Sequence, residues 1–186
     1  MTRQAPASNR RGTVLIAADY LPLFDRQSGG LRLKSLIGIV LSLGWDVAFC
    51  SFLSIEKSPR LLASEDGRRR YETALKDLGV SHILYGIDAA REYLRESGRD
   101  VRYAFISFPA VAIEFIPLIR LHCPWARVLY DTVDFHYLRL SREAELTGDL
   151  GLRHAAEATL EVELACTRSA DVTFAVTADE KAALLR

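Results

Sequence analysis

Thr13-Val-Leu-Ile-Ala-Ala18, followed by the loop Asp19–Gly30 and then by LRLKSLIGIVLSLG, decides the fold. A run with no polar alternation describes a strand covered on both faces, the condition of a parallel sheet. In the next stretch Leu33, Leu36, Ile37, Val40 and Leu41 fall on one face of a helix over 31–44, with Gly44 as its stop.

The same alternation of short apolar run and helical stripe continues outward. Strands are predicted at DVAFCSF (46–52), SHILYG (81–86), RYAFISF (102–108), RVLYD (127–131) and DVTFAV (171–176). Helices are predicted at RRRYETALKDLG (68–79), at AAREYLRESG (89–98) capped by Asp88, and at PAVAIEFIPLIRLH (109–122) with a kink or division at Pro117. A long helical region over 137–169 is broken near Gly148 and Gly151, and Thr177 opens a last helix over 178–186. Strands that alternate with helices pair in parallel, because only a crossover returns the chain in the same direction. The fold class is α/β: a doubly wound, mostly parallel Rossmann-like sheet of about six strands with helices on both faces. Residues 1–12 read as a mobile tail and 13–186 as one domain.

Composition closes off other classes. A chain of 186 residues buries roughly 70% of the surface it exposes when unfolded, enough for a core without staples. Twenty-four basic and twenty-four acidic residues cancel, so an electrostatic nucleic-acid partner is excluded. Cys50, Cys123 and Cys166 fit neither a zinc spacing nor a disulfide framework, and read as buried thiols in a reducing cytoplasm. Pro109, Glu114 and Pro117 interrupt the longest apolar stretch, Tyr103–Leu121, which reads as strand then buried helix, not as a membrane span.

Ligands of a doubly wound sheet bind beyond the carboxyl ends of its strands, where strand order reverses. Three segments fall there. The first is the loop from Asp19 through Asp25 to Ser28-Gly29-Gly30, whose glycines and helix N-terminus suit a phosphate, or equally a plain turn capped by Ser28. The second is Asp131-Thr-Val-Asp134-Phe-His136, with Arg139 and Arg142 following. Its carboxylates and imidazole can hold sugar hydroxyls or manage a proton, whereas the structural alternative is capping by Asp134. The third is Thr177-Ala-Asp-Glu180, a capping-box pattern first and a cleft edge second. Arg68, Arg69 and Arg70, flanked by Glu65, Asp66 and Glu72, read as a solvated helix start.

These residues resemble a known family. VLYDTVDFHYLRLSREAEL (128–146) is similar to the segment "yDtvDlHflRe.Rea.l" of bacterial GT-B glycosyltransferases of the group-1, family-4 type. ELACTRSADVTFAVTADEKAALL (163–185) resembles their "E......aD.v..vS..E...l" stretch at the end of the N-terminal domain. The opening strand, Pro22, Ser28-Gly29-Gly30 and LGWDV resemble their start, with Trp45 where a histidine is usual.

The resemblance implies the acceptor-side half of a two-domain enzyme that moves a sugar from a nucleotide-sugar donor to a glycan or lipid-linked acceptor, in bacterial surface polysaccharide synthesis. It implies Asp134 and His136 near the transferred sugar as catalytic residues, and Ser28, Gly29 and Gly30 at the donor diphosphate. It places Asp19, Asp25, Asp131 and Arg139 on the acceptor side, and Thr177 and Glu180 at the cleft edge. No metal and no cofactor are implied beyond the nucleotide-sugar co-substrate. The family-4 type implies retention of anomeric configuration. The implied location is cytoplasmic, with peripheral contact to the inner face of the membrane left open. The family's donor domain and its paired glutamates do not appear before Arg186. An excised piece of a longer enzyme, one subunit of a split enzyme, and a stand-alone glycan- or nucleotide-binding module all remain open, the first preferred.

Overall fold

The computed structural model describes residues 11–185 and contains one six-stranded, all-parallel sheet in the order β3-β2-β1-β4-β5-β6. The strands are β1 (Thr13–Ala18), β2 (Asp46–Ser51), β3 (His82–Tyr85), β4 (Val101–Ser107), β5 (Arg127–Asp131) and β6 (Val172–Phe174). The helices are α1 (Ser28–Ser42), the single turn α2 (Arg60–Ala63), α3 (Glu65–Leu78), α4 (Gly86–Ser97), α5 (Pro109–His122), α6 (His136–Thr147), α7 (Leu150–Ser169) and α8 (Ala178–Leu184). Strand order reverses between β1 and β4, so the crevice that can receive a ligand opens beyond Ala18 and Ser107.

β1 is buried along its whole length because it feeds two cores at once. Val14, Ile16 and Ala18 meet Leu33 and Ile37 of α1 and Tyr71 and Leu75 of α3 on one face. Leu15 and Ala17 meet α4, α5 and Cys166 of α7 on the other. At roughly 1.5–3 kcal/mol for each large aliphatic side chain buried, this strand is the axis of the domain's stability. The three thiols are buried and free; burial pushes Cys50 up to about 12 and Cys123 and Cys166 up to about 11, so none is a ready thiolate.

Several boundaries differ from the sequence expectation, each for a local reason. α1 begins three residues early and absorbs Ser28, Gly29 and Gly30. Its N-cap is Gln27 and no side chain caps it, so Ser28 is not the cap. α4 starts at Gly86, which places Asp88 inside the first turn, bonded to Arg91 instead of capping. Pro117 does not divide α5, which runs as one helix through it. It lies on the exposed face, as does Ile113, whose carbonyl loses its donor and is left to water. The break at Gly148 stands, with φ of 69° there and Asp149 accepting from Gly151 and Leu152 at the start of α7. β6 is only three residues long.

Of the expected tail, residues 1–10 lie outside the described residues, as does Arg186 of the last helix. Arg11 and Gly12 are tied down: Arg11 N–H donates to Gly44 O at 3.3 Å, and Asp46 N–H donates to Gly12 O at 2.9 Å. No helix among the described residues is long and apolar enough to cross a membrane.

Candidate functional site

The chain leaves β1 at Asp19, whose carbonyl accepts from Leu53 N–H at 2.9 Å. The loop then buries Leu21 and Leu23 beneath the start of α1. Gly30 is what permits this fit, since a Cβ there would stand 2.7 Å from the carbonyl carbon of Leu23. Gly29 is exposed, and the first turn of α1 presents its uncapped N–H groups to the mouth of the crevice.

One turn into α1, Arg32 grips Asp131 at the end of β5 with two parallel hydrogen bonds of 2.5 and 2.9 Å. Asp131 is fully buried while Arg32 keeps 46% of its side chain exposed. Both oxygens of Asp131, expected on the acceptor side, accept from this guanidinium, which is thereby held at the rim of the pocket that Asp131 also lines. The pairing in turn pushes the Arg32 pKa further up.

Backbone strain gathers at the same end of the sheet. Phe108, between β4 and α5, has φ of 75°, and Val133, between β5 and α6, has φ of 62°. A β-branched residue pays heavily for the left-handed region, and such outliers cluster where function over-determines the backbone. Val133 is held there by a three-residue turn in which Asp134 N–H donates to Thr132 O at 2.7 Å, while Thr132 N–H and Oγ1 both donate to Phe174 O on β6.

His136 opens α6, 27% exposed. Asp134 does not cap this helix, whose N-cap is Phe135 with no side-chain bond. The cap arrives from α7: Glu163, with no exposure, accepts from His136 N–H at 2.9 Å and from Tyr137 N–H at 3.1 Å. Its Oε1 also stands 3.5 Å from His136 Nδ1. Burial pushes the Glu163 pKa up against those two N–H groups, and the charges of Asp134 and Glu180 add to the rise. Asp19 is shifted the same way by burial, with the charge of His136 opposing.

Two concavities meet at Asp19. A pocket of about 90 Å³ is lined by Asp19, Gln27, Gly29, Gly30, Arg32 and Asp131 among others. A wider groove of about 590 Å³ runs from Asp19 and His136 past Phe108, Ile113, Leu140 and Val162, with Arg139 on its wall. Asp19, Gly29, Gly30, His136 and Arg139 thus come together. Ser28 opens α1 beside them but does not line either space.

The remaining candidates lie elsewhere. Asp134 is turned to the groove between α6 and α8, where it meets Arg139 at 3.3 Å across an exposed pair. Asp25 is drawn away to α3 by Tyr71 OH at 2.8 Å and Arg70 at 2.7 Å, which hold its carboxyl below the usual range. Thr177 accepts from Glu180 N–H at 3.2 Å and Glu180 accepts from Val176 N–H at 2.7 Å, so their polar atoms close the cap of α8 on the far side of that same groove. Among the described residues no group of three or more His, Cys, Asp or Glu could hold a metal ion.

Arg32, Phe108, Val133 and Glu163 are site residues that sequence reading did not single out. The signal available for Glu163 was its place as the opening residue of the family-like stretch 163–185; the structure adds that it is buried on α7 with Ala156 and Cys166, an unusual place for a lone carboxylate. Comparison with family models, curated proteins and solved structures finds no match to this chain.

Proposed function

We propose that this domain is the acceptor-side half of a GT-B glycosyltransferase that transfers a sugar from a nucleotide-sugar donor to a hydroxyl of a glycan or lipid-linked acceptor in bacterial surface polysaccharide synthesis. The observation that carries the reading is Asp19 facing His136 at the reversal point of the sheet, a desolvated carboxylate with raised pKa in an open groove. In the proposed step the acceptor oxygen bonds to the anomeric carbon, the bond from that carbon to the diphosphate oxygen breaks, and the nucleoside diphosphate leaves with the electron pair. Asp19 takes the hydroxyl proton. His136 lines the transferred sugar, and Arg32 and the uncapped start of α1 meet the negative charge of the leaving group without calling on a metal. Buried free thiols fit a reducing, cytoplasmic setting.

The test is sugar transfer from nucleotide-sugar donors by the protein that carries this domain, with its donor-binding half on the same chain or on a partner. Asp19→Asn and His136→Ala should each lower kcat about 100-fold or more, the scale of a lost proton-handling group. Wild-type turnover in both would remove the pair from the mechanism. Tight donor binding by this domain alone would favour a stand-alone binding module instead.

A further inference from the structure

We infer that Glu163 is a positioning residue that fixes the imidazole of His136, as the Nδ1–H tautomer, for work in the groove. The carboxylate has no freedom of its own. It is fully buried on α7, and each oxygen is anchored by a backbone N–H from the first turn of α6. The residue that supplies the first of those N–H groups is His136 itself, so the anchor and the ring it serves belong to one residue. Oε1 stands 3.5 Å from Nδ1, and a carboxylate that already accepts N–H bonds from its neighbours presents only lone pairs to the ring. Nδ1 therefore carries the proton on that side. The ring itself lines the groove that Asp19 also lines, so the proton on Nδ1 is held on the side away from solvent-filled space.

The other charged groups around the ring are Asp134 and Arg139, bonded to each other on the exposed side of α6, and Glu180, whose carboxylate is bonded to Val176 N–H. None of them offers Nδ1 a bond in the structure. An imidazole with one nitrogen 3.5 Å from a buried, anchored carboxylate is oriented by it, and outer groups that orient a histidine in this way are worth about 10- to 100-fold.

The consequence for rate rests on the glycosyltransferase reading; the tautomer does not. The capping role and the positioning role separate in a double-mutant cycle, because His136→Ala removes the ring but keeps the backbone N–H that Glu163 caps. Positioning predicts that Glu163→Gln lowers kcat about 10- to 100-fold with KM for the donor little changed, that Glu163→Asp restores part of the loss, and that Glu163→Gln costs nothing further once His136 is Ala. An equal loss in both backgrounds, or no loss in either, overturns the inference. Urea unfolding of the same four proteins gives the capping contribution, expected to be the same with and without the ring. The ¹⁵N spectrum of the imidazole in the unmodified chain supplies the independent arm. The Nδ1–H pattern at His136 supports the assignment, and the Nε2–H pattern overturns it whatever the activity. If no sugar transfer is found, the glycosyltransferase reading falls and the tautomer alone decides this one.

Discussion

At the α3 corner Asp25 and Glu72 are each matched to named donors, whereas at the mouth between β1 and β5 the acids are left under pressure. Asp25 takes Tyr71 OH and Arg70, and Glu72 takes Tyr85 OH at 2.6 Å with Arg68 at 3.3 Å and Lys76 at 3.5 Å. The Tyr71 hydroxyl bond lowers the carboxyl of Asp25, while burial first and the Glu72 bond second push the Tyr85 hydroxyl far up. Across the sheet, Asp19 has no side-chain hydrogen bond among the described residues, and Asp19 and Glu163 are both raised by burial. Strained Phe108 and Val133 stand beside them. One region spends its polar groups on holding α3 in place, and the other keeps them poised, which is the usual division between scaffold and site.

Exchanging carboxyl for amide on the two sides should break the comparison most visibly. Asp19→Asn should cost turnover about 100-fold or more and leave stability unchanged or slightly raised, since a desolvated charge is removed. Asp25→Asn should do the reverse, lowering the urea midpoint while turnover stays at the wild-type level. Both aspartates affecting the same property would erase the distinction.

The fit of the loop under α1 comes next in size. Gly30→Ala puts a methyl group against the Leu23 backbone and should destabilise the fold by about 1–3 kcal/mol in chemical denaturation. Gly29→Ala, with only Val133 Cγ1 at 4.0 Å, should cost much less.

The pH dependence of stability sharpens the contrast with the smallest signal. A carboxyl raised on folding contributes stability that is fully present below its unfolded value and is lost as pH rises through the folded value. Asp19 therefore pulls stability down as pH rises above about 3.8, and Asp19→Asn should flatten that part of the curve. Asp25 works in the opposite direction, its contribution present above about 3.8 and lost as pH falls through its lowered folded value. Unfolding free energies measured across pH 3–7 for the two Asn variants should change slope with opposite sign.

Much of the fold could be read along the chain because its decisive signal is local. The run Thr13–Ala18 needs no partner to say that it is covered on both faces, and each later strand repeats the message. Helix ends were harder where tertiary packing decides them. The early start of α1 depends on a glycine fitting against a loop, and the unbroken run of α5 through Pro117 depends on which face meets water. The site was legible as loops but not as partnerships. Arg32 and Asp131 are 99 residues apart, and Glu163 reaches His136 from 27 residues away. No spacing in the sequence joins such pairs, and without them Asp131 and Asp134 look as available as Asp19.

The place of β1 between β2 and β4 also sets the order in which the protein can assemble as it is made. β1 acquires one neighbour when Asp46–Ser51 leaves the ribosome, but its second edge waits for Val101–Ser107, with β3 and α4 synthesised in between. Throughout that interval the most apolar strand of the domain carries an open row of N–H and C=O groups, a template for any other strand it meets. The nascent chain is thus most exposed to misassociation, and most in need of a chaperone, at the stage when its first half already looks finished.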